Sequence, residues 1–553
     1  MIIDKTAYRA NDIRGIADSS HPNYQLTDDF CRLTGLAYVE LLREYRGKEP
    51  HELRVVVGKD VRTSGPRVKT AFIEALVSKG VHAIDIAPAD TVSSTPLMYF
   101  ATWLFDADGG VEVTASHLEK EWNGFKFTVG SESAAEHHVR ETLETALKLE
   151  TALEAGTIRL ESAEKGKLEE VDVLGDYHAM ITANIILRAR WEELALQSLT
   201  RKLSLKDALA TARHEIDLLP EEKRKPLSGL KIAYDAGNGT TGVIAPPLFR
   251  ALGAEVFELY SEPDGNFPHH LPDPTIPQFM EDLHAEVARR NAHIGLSSDC
   301  DGDRAGAVSP SGSMIIGEQI LALLCKHILS EHPRGAIVYD TKCSDAIKEI
   351  IIENGGMPVE WKTGFSFIKT KMHEMGAVAG GEMSGHVYFA KNNRADDAVF
   401  AFSELLLLTA EELRSGKSAE VVDELLADFL RRYVNTPEIR IPVVNDAEKE
   451  RVSDAVENYY REFAADNPEK YKRRVDEQGN DIDGVKIDFM DERGWALIRR
   501  SNTSPVIILR MEARTSNGLK RIEEQVIKKF LEFTTVDLNA DEYVKGIMKR
   551  VKR

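Results

Sequence analysis

Three aspartates stand at alternate positions in Asp299-Cys300-Asp301-Gly302-Asp303, with Arg304 directly after them. The apolar run Ala292-His293-Ile294-Gly295-Leu296 precedes them and reads as a buried strand. The acids therefore emerge at its C-terminal end, where open α/β sheets bind their ligands. Alternate residues of an extended segment point the same way, which predicts that the three carboxylates converge. Only Arg304 offsets their charge locally, and a hard divalent cation with oxygen ligands is the usual chemical answer. A solvated acidic turn has the same spelling. An EF-hand loop does not, because its sixth position would be Arg304 instead of glycine and its twelfth Pro310 instead of glutamate.

Three further stretches carry chemistry of a matching kind. Thr114-Ala115-Ser116-His117 comes off the apolar run Gly110 to Thr114, and Lys126 follows ten residues after Ser116. A serine so placed can carry a phosphoryl group when a metal and cations stabilise the charge on the phosphoryl oxygens, and His117 or Lys126 can move protons. A turn or helix cap is the plainer alternative. No G-x-S-x-G elbow surrounds Ser116, which argues against a serine hydrolase. In Gly381-Glu382-Met383-Ser384-Gly385-His386 a carboxylate, a hydroxyl and an imidazole alternate, a set that suits vicinal sugar hydroxyls or a plain glycine-rich turn. Arg499-Arg500-Ser501-Asn502-Thr503-Ser504-Pro505 lies between two strand-like runs. Small hydroxyl residues let backbone N–H groups approach an anion and arginine grips phosphate bidentately, so this is a candidate phosphate cradle; a hairpin turn is the alternative.

These stretches must be held by a scaffold, and the chain shows one plan three times. Arg54 to Asp60, Lys231 to Asp235 and Ala336 to Asp340 each read as a strand ending in an acid. Each is followed by a helical stretch, a glycine and a second strand (Val81 to Ile86, Val256 to Leu259, Pro358 to Trp361). That is the right-handed βαβ unit, and three copies predict three related α/β domains, each presenting a loop at the carboxyl end of its first strand. After Thr436-Pro437 the pattern changes to strands over Ile439 to Val443, Val485 to Phe489, Trp495 to Arg499 and Val506 to Ala513, with helices over Ala447 to Phe463 and Gly518 to Phe533, a smaller α+β domain. The expected division is residues 1–226, 227–333, 334–434 and 435–553. Residues 131–226 read as mostly helical, with an insertion of about 40 residues near 185–225 that could serve oligomerisation or brace the fold. Residues 541–553 read as a peripheral basic helix. Loops from all four modules then surround a central cleft.

At 553 residues the chain exceeds one core, and its composition is that of an ordinary soluble globular protein. The net charge of −20 argues against a nucleic-acid partner but leaves room for a locally basic pocket that binds a phosphorylated substrate. Cys31, Cys300, Cys325 and Cys343 form no CxxC pair, so neither zinc nor a disulfide framework is indicated. No signal-peptide core or membrane span is read, and the cytoplasm is the expected compartment.

Read together, the sequence resembles the α-D-phosphohexomutase superfamily, and within it the phosphomannomutase/phosphoglucomutase group. The resemblance runs in order through Ala10 to Gly15, Gly58 to Arg62, Thr114 to Lys126, Asp299 to Arg304, Asp340 to Ser344, Gly381 to His386 and Arg499 to Pro505. It implies that Ser116 is the phosphoserine and that Ser116, Asp299, Asp301 and Asp303 hold Mg2+. Glu382 and Ser384 would bind the 3- and 4-hydroxyls with His386 alongside, and Arg499, Ser501, Asn502 and Thr503 would grip the phosphate not being transferred. Arg14, Lys126, Arg304 and Lys342 would line the cleft, with Lys126 and His117 moving protons.

The implied reaction interconverts hexose 1-phosphate and hexose 6-phosphate through a hexose 1,6-bisphosphate, which also serves as activator. A metal-dependent sugar phosphatase and a non-catalytic sugar-phosphate-binding protein are the competing classes. The chain departs from the family pattern at Leu118-Glu119, where Asn-Pro is usual, at Asn11, where tyrosine is common, and at Phe365, where histidine is frequent. The last of these leaves the choice between mannose and glucose open, and the oligomeric state is not legible in the residues.

Overall fold

The computed structural model describes residues 2–157, 166–501 and 504–551, and these form four sheets with helices packed on them. The first three sheets share one core topology. Arg54–Lys59 lies between His82–Asp85 and Gly109–Val113, parallel to both, with Trp122–Val129 antiparallel beyond. Lys231–Asp235 lies likewise between Glu255–Leu259 and Ile294–Ser298, with Ala305–Val308 antiparallel beyond. Ala336–Asp340 lies between Met357–Trp361 and Ala379–Gly381, with Val387–Phe389 antiparallel beyond. The expected triplication is present. The loops that carry Ser116, the three aspartates and Glu382 follow the strands expected to precede them, and each joins the third strand of its unit to the antiparallel fourth.

The fourth sheet is antiparallel, built from Val434–Asn435, Ile439–Pro442, Tyr471–Arg473, Val485–Phe489, Gly494–Arg500 and Val506–Ala513. Asp446–Asp466 and Ser516–Phe530 cover it. The C-terminal helix Glu542–Val551 is not peripheral. Val544, Ile547 and Met548, spaced three and one apart, form an apolar stripe buried in the same core.

Several strands escape the sequence reading, Trp122–Val129, Ala305–Val308 and Val387–Phe389 among them. Ile13–Ile16 and Leu168–Glu170 sit at opposite ends of the first sheet, and neither is long enough to show a period. The segment expected to be mostly helical thus contains a strand. Helices run over Leu174–Leu187, Ala189–Leu199 and Leu205–Asp217, so the helical stretch begins before the insertion expected near 185–225. They are tied to the helices Gly317–Glu331 and Ala398–Arg414. The Tyr177 hydroxyl donates to Asp397 at 2.8 Å, Asn184 Nδ2 donates to Glu404 at 2.6 Å, and Arg188 pairs with both Glu404 and Glu331. All four cysteines are buried thiols, and among the described residues no helix is long and apolar enough to cross a membrane.

Candidate active site

The strand Ile294–Ser298 ends before the acids, and residues 299–304 form a turn instead of continuing extended. Gly302 takes the left-handed conformation at φ +74°, and the backbone N–H groups of Asp303 and Arg304 both donate to Asp299 Oδ1 at 3.1 Å. The carboxylates converge, as expected, but by chain reversal and not by strand alternation. One oxygen from each of Asp299, Asp301 and Asp303 lies within 4.8 Å of the others, and all three residues are buried.

Ser116 comes to this turn from another sheet. It is fully buried, its backbone is left-handed at φ +56°, and its Oγ donates to Asp299 Oδ2 at 2.6 Å, with His117 Nδ1 at 3.2 Å from the same oxygen. Lys126 arrives by strand geometry: Phe125 and Phe127 point into the core of the first sheet, so Lys126 faces the other way. Its ammonium pairs with Asp301 and Asp303. Thr95, at the start of Thr95–Leu104, adds a 2.6 Å hydroxyl bond to Asp301 Oδ2. Arg14 donates to the carbonyl of Ala115 at 3.2 Å and pairs with Asp12.

The charges are strongly coupled. Burial, with Asp303 and Asp301 beside it, pushes the Asp299 carboxyl well above its ordinary value. Burial would raise Asp303 as well, but Lys126 and His386 outweigh it and hold that group low. Burial alone would lower the Lys126 ammonium; Asp301, Asp303 and Asp299 instead hold it above its ordinary value. Burial, followed by the charges of Arg304 and Arg14, keeps the His117 imidazole well below the usual range.

A cation fits the residues present. Oδ1 of Asp301 and Oδ1 of Asp303 are buried without a hydrogen-bond partner, a costly arrangement unless a ligand completes it. Three carboxylates and a hydroxyl are also the donor set that hard divalent ions take. Asp303, His386 and Asp396 make a second close group, but Lys369 already sits on Asp396 and Arg304 on His386.

The third unit faces this cluster. Glu382 and His386 are buried at the two ends of a tight turn, the N–H of Glu382 bonded to the carbonyl of His386 at 2.9 Å, with Ser384 half-buried at its tip. Gly385, at φ +103°, offers its carbonyl to the N–H of Ala305 at 2.9 Å, and a side chain there would meet Arg304. His386 Nε2 accepts from Arg304 Nε at 3.2 Å, which leaves Nδ1 to face Asp396 Oδ2, also at 3.2 Å. Glu382 Oε2 takes the N–H of Gly364 at 2.8 Å, and the Phe365 ring lies 6.2 Å from the His386 ring.

The fourth unit supplies cations. Arg499 pairs with Asp483 at 3.0 Å, and the same carboxylate oxygen accepts the N–H of Thr363 at 3.1 Å. Lys342 reaches across to Glu438 at 3.0 Å. Burial would lower the Lys342 ammonium, but Glu438 and Asp340 outweigh it and hold it high despite Arg499 nearby. Ser501 is buried, and its carbonyl accepts from Lys449 Nζ at 3.1 Å. Asn502 and Thr503 lie outside the described residues.

Sequence reasoning missed Thr95 and Asp396. Asp397 caps the helix Ala398–Arg414, and the spacing of Asp396 from His386 carries no local signal. The domain models for phosphoglucomutase/phosphomannomutase match in series: α/β/α domain I over residues 5–154, domain II over 209–312, domain III over 316–433 and the C-terminal domain over 438–529. A phosphomannomutase/phosphoglucomutase of Pseudomonas syringae pv. tomato is 33% identical over 524 residues, 94% of each chain. A phosphoglucomutase of Neisseria gonorrhoeae is 30% identical and covers 95% of this chain and 96% of its own. A solved phosphoglucomutase/phosphomannomutase family protein of Burkholderia thailandensis superposes with a TM-score of 0.74 at 28% identity, covering 95% of this chain and 97% of that one.

Proposed function

The chain belongs to the phosphoglucomutase/phosphomannomutase family of α-D-phosphohexomutases, and from that membership and the contacts of Ser116 with the aspartates we propose that it interconverts hexose 1-phosphate and hexose 6-phosphate on Ser116. The observation that carries the reading is the 2.6 Å bond from the Ser116 hydroxyl to Asp299, inside a cluster with two unpartnered carboxylate oxygens.

In the forward direction, phosphorylated Ser116 donates its group to the free 6-hydroxyl of a hexose 1-phosphate. The P–Oγ bond breaks as a P–O6 bond forms, and the proton leaving the 6-hydroxyl balances the one Ser116 Oγ takes up. Of the two proton carriers expected from the sequence, His117 is the one beside Oγ, at 3.2 Å, while Lys126 stays turned toward Asp301 and Asp303. The resulting 1,6-bisphosphate reorients, and its 1-phosphoryl group returns to Ser116, leaving hexose 6-phosphate. A divalent cation, for which we propose Mg2+, would be held by Asp299, Asp301, Asp303 and Ser116 and would neutralise charge developing on the phosphoryl oxygens.

The other residues bind and orient. Glu382, with Gly364 fixing one of its oxygens, accepts from ring hydroxyls, and Ser384 and His386 flank it. Arg304 touches both His386 and Asp299, so it spans the sugar side and the phosphoryl side of the cleft. Arg499, Ser501, Asn502 and Thr503, with Lys342 opposite, take the phosphate that is not moving. Arg14 backs the Ser116 loop. Phe365 offers no hydrogen bond where a histidine would, which is compatible with either glucose or mannose as the sugar.

The test is phosphorus NMR of glucose 1-phosphate and mannose 1-phosphate with the enzyme, Mg2+ and a trace of hexose 1,6-bisphosphate. Hexose 6-phosphate should appear with no matching inorganic phosphate. Release of inorganic phosphate instead would make the protein a phosphatase, and no conversion of either sugar would leave only a binding role.

A further inference from the structure

The nucleophile's loop, between Gly109–Val113 and Trp122–Val129, has no regular structure, and its central residue holds a left-handed backbone that a residue with a Cβ avoids by about 1–2 kcal/mol. Something must over-determine it. Arg62 is the group that touches it most. Its side chain is 0% exposed, and each of its five guanidinium N–H groups has an acceptor. One NH2 bonds the carbonyls of Ser116 and Leu118, both at 2.6 Å. The other bonds the carbonyls of Glu119 at 2.6 Å and Trp122 at 2.9 Å. Nε bonds Asp60 Oδ2 at 3.1 Å.

The circuit closes on the same serine. Asp60 Oδ2 also accepts from the Thr114 hydroxyl at 2.8 Å, and Thr114 Oγ1 accepts the backbone N–H of Ser116 at 2.8 Å. The N–H and C=O of Ser116 are thus both fixed, one through Thr114 and Asp60, the other directly by Arg62. The unit that carries Asp299 covers this clamp. Phe267 lies with its ring centroid 5.4 Å from the guanidinium carbon, and a Cβ on Gly265 would lie 2.3 Å from the carbonyl of Val61.

We propose that Arg62 is a positioning residue for phosphoryl transfer: it aims Ser116 Oγ at Asp299 by tying down the loop's carbonyls. The inference rests on Ser116 being the phosphoryl carrier. It reaches beyond that assignment in saying what sets the nucleophile's direction. Lysine keeps the charge for Asp60 but has three donors and no fork, so it cannot hold four carbonyls of one loop.

The experiment compares Arg62→Lys, Thr114→Val and Ser116→Ala with wild type for kcat, KM, melting temperature and the rate at which hexose 1,6-bisphosphate phosphorylates the protein, read by intact mass. A misaimed nucleophile costs on the order of 100-fold in rate. Arg62→Lys should therefore lose about that much in kcat and in phosphorylation rate, with KM within about threefold of wild type. Thr114→Val, which removes the other anchor at nearly constant volume, should show the same split at roughly tenfold. Folded Arg62→Lys or Thr114→Val with wild-type kcat, or a loss in which KM rises as much as kcat falls, overturns the inference. If Arg62→Lys does not fold, Thr114→Val decides alone. An active Ser116→Ala would instead overturn the reading of the site itself.

Discussion

The Ser116 hydroxyl donates to Oδ2 of Asp299 at 2.6 Å across 183 residues of chain, from one α/β unit to the next. Neither residue makes a reaction centre alone. A buried hydroxyl on a buried carboxylate becomes a phosphoryl-transfer site because Asp301 and Asp303 stand beside it with unpartnered oxygens. Loops at one topological position in two copies of one fold meet there, and the third copy brings Glu382 and His386 to face them.

Lys126 offsets part of the negative charge of Asp301 and Asp303. Removing one partner of a buried ion pair typically costs 3–5 kcal/mol. Lys126→Ala should therefore melt well below wild type in EDTA, because Asp301 and Asp303 are left uncompensated. Mg2+ should recover more of the melting temperature in Lys126→Ala than it adds to wild type. Equal Mg2+ shifts in the two proteins would show that the carboxylates do not hold the ion. Activity in EDTA should fall to background for both.

Arg499 is expected to act on binding and not on chemistry. A hydrogen bond to a charged group contributes about 1.5–3 kcal/mol, so Arg499→Gln should raise KM for hexose 1-phosphate roughly 10- to 100-fold. The kcat should change far less, because the arginine meets the phosphate that stays put. A fall in kcat with KM unchanged would reassign Arg499 to the transferring group.

Glu512 gives the fold a pH signature away from the site. Burial, reinforced by Asp345, raises its carboxyl from 4.5 to about 7, and Arg510 only partly opposes this. Its Oε1 accepts the N–H of Asp345 and the indole N–H of Trp495, both at 2.9 Å, joining the fourth sheet to the third. Between pH 4.5 and 7 the folded state binds the extra proton, so stability falls as pH rises through that window, by about 3 kcal/mol in total, and is level above it. Urea unfolding across pH 4.5–8 should show this slope for wild type and a flatter one for Glu512→Gln. Parallel profiles would mean that Glu512 does not titrate there.

Much of this was legible in the chain because it is locally encoded. Arg54 to Asp60, Lys231 to Asp235 and Ala336 to Asp340 announce their strands by composition, and Ser116, the three aspartates and Glu382 sit in motifs short enough to read. What could not be read depends on distance in three dimensions. Phe125 and Phe127 alternate around Lys126, but nothing local says that its outer face meets Asp301. Arg62 stands in a motif whose purpose lies in the carbonyls of residues 116–122, and carbonyls have no spelling. The aspartate turn misled in a simple way. Alternation suggested an extended segment, whereas Gly302 at positive φ reverses the chain and brings the acids together by another route.

The central claim is that Ser116 lends and reclaims a phosphoryl group, and the direct test is intact-mass spectrometry of the protein before and after hexose 1,6-bisphosphate. One phosphate should add to wild type, map to Ser116, and leave when excess hexose 1-phosphate is supplied, while Ser116→Ala takes up none and has no mutase activity. Turnover at the wild-type rate by Ser116→Ala, or a transferable phosphate mapped to another residue, would contradict the account.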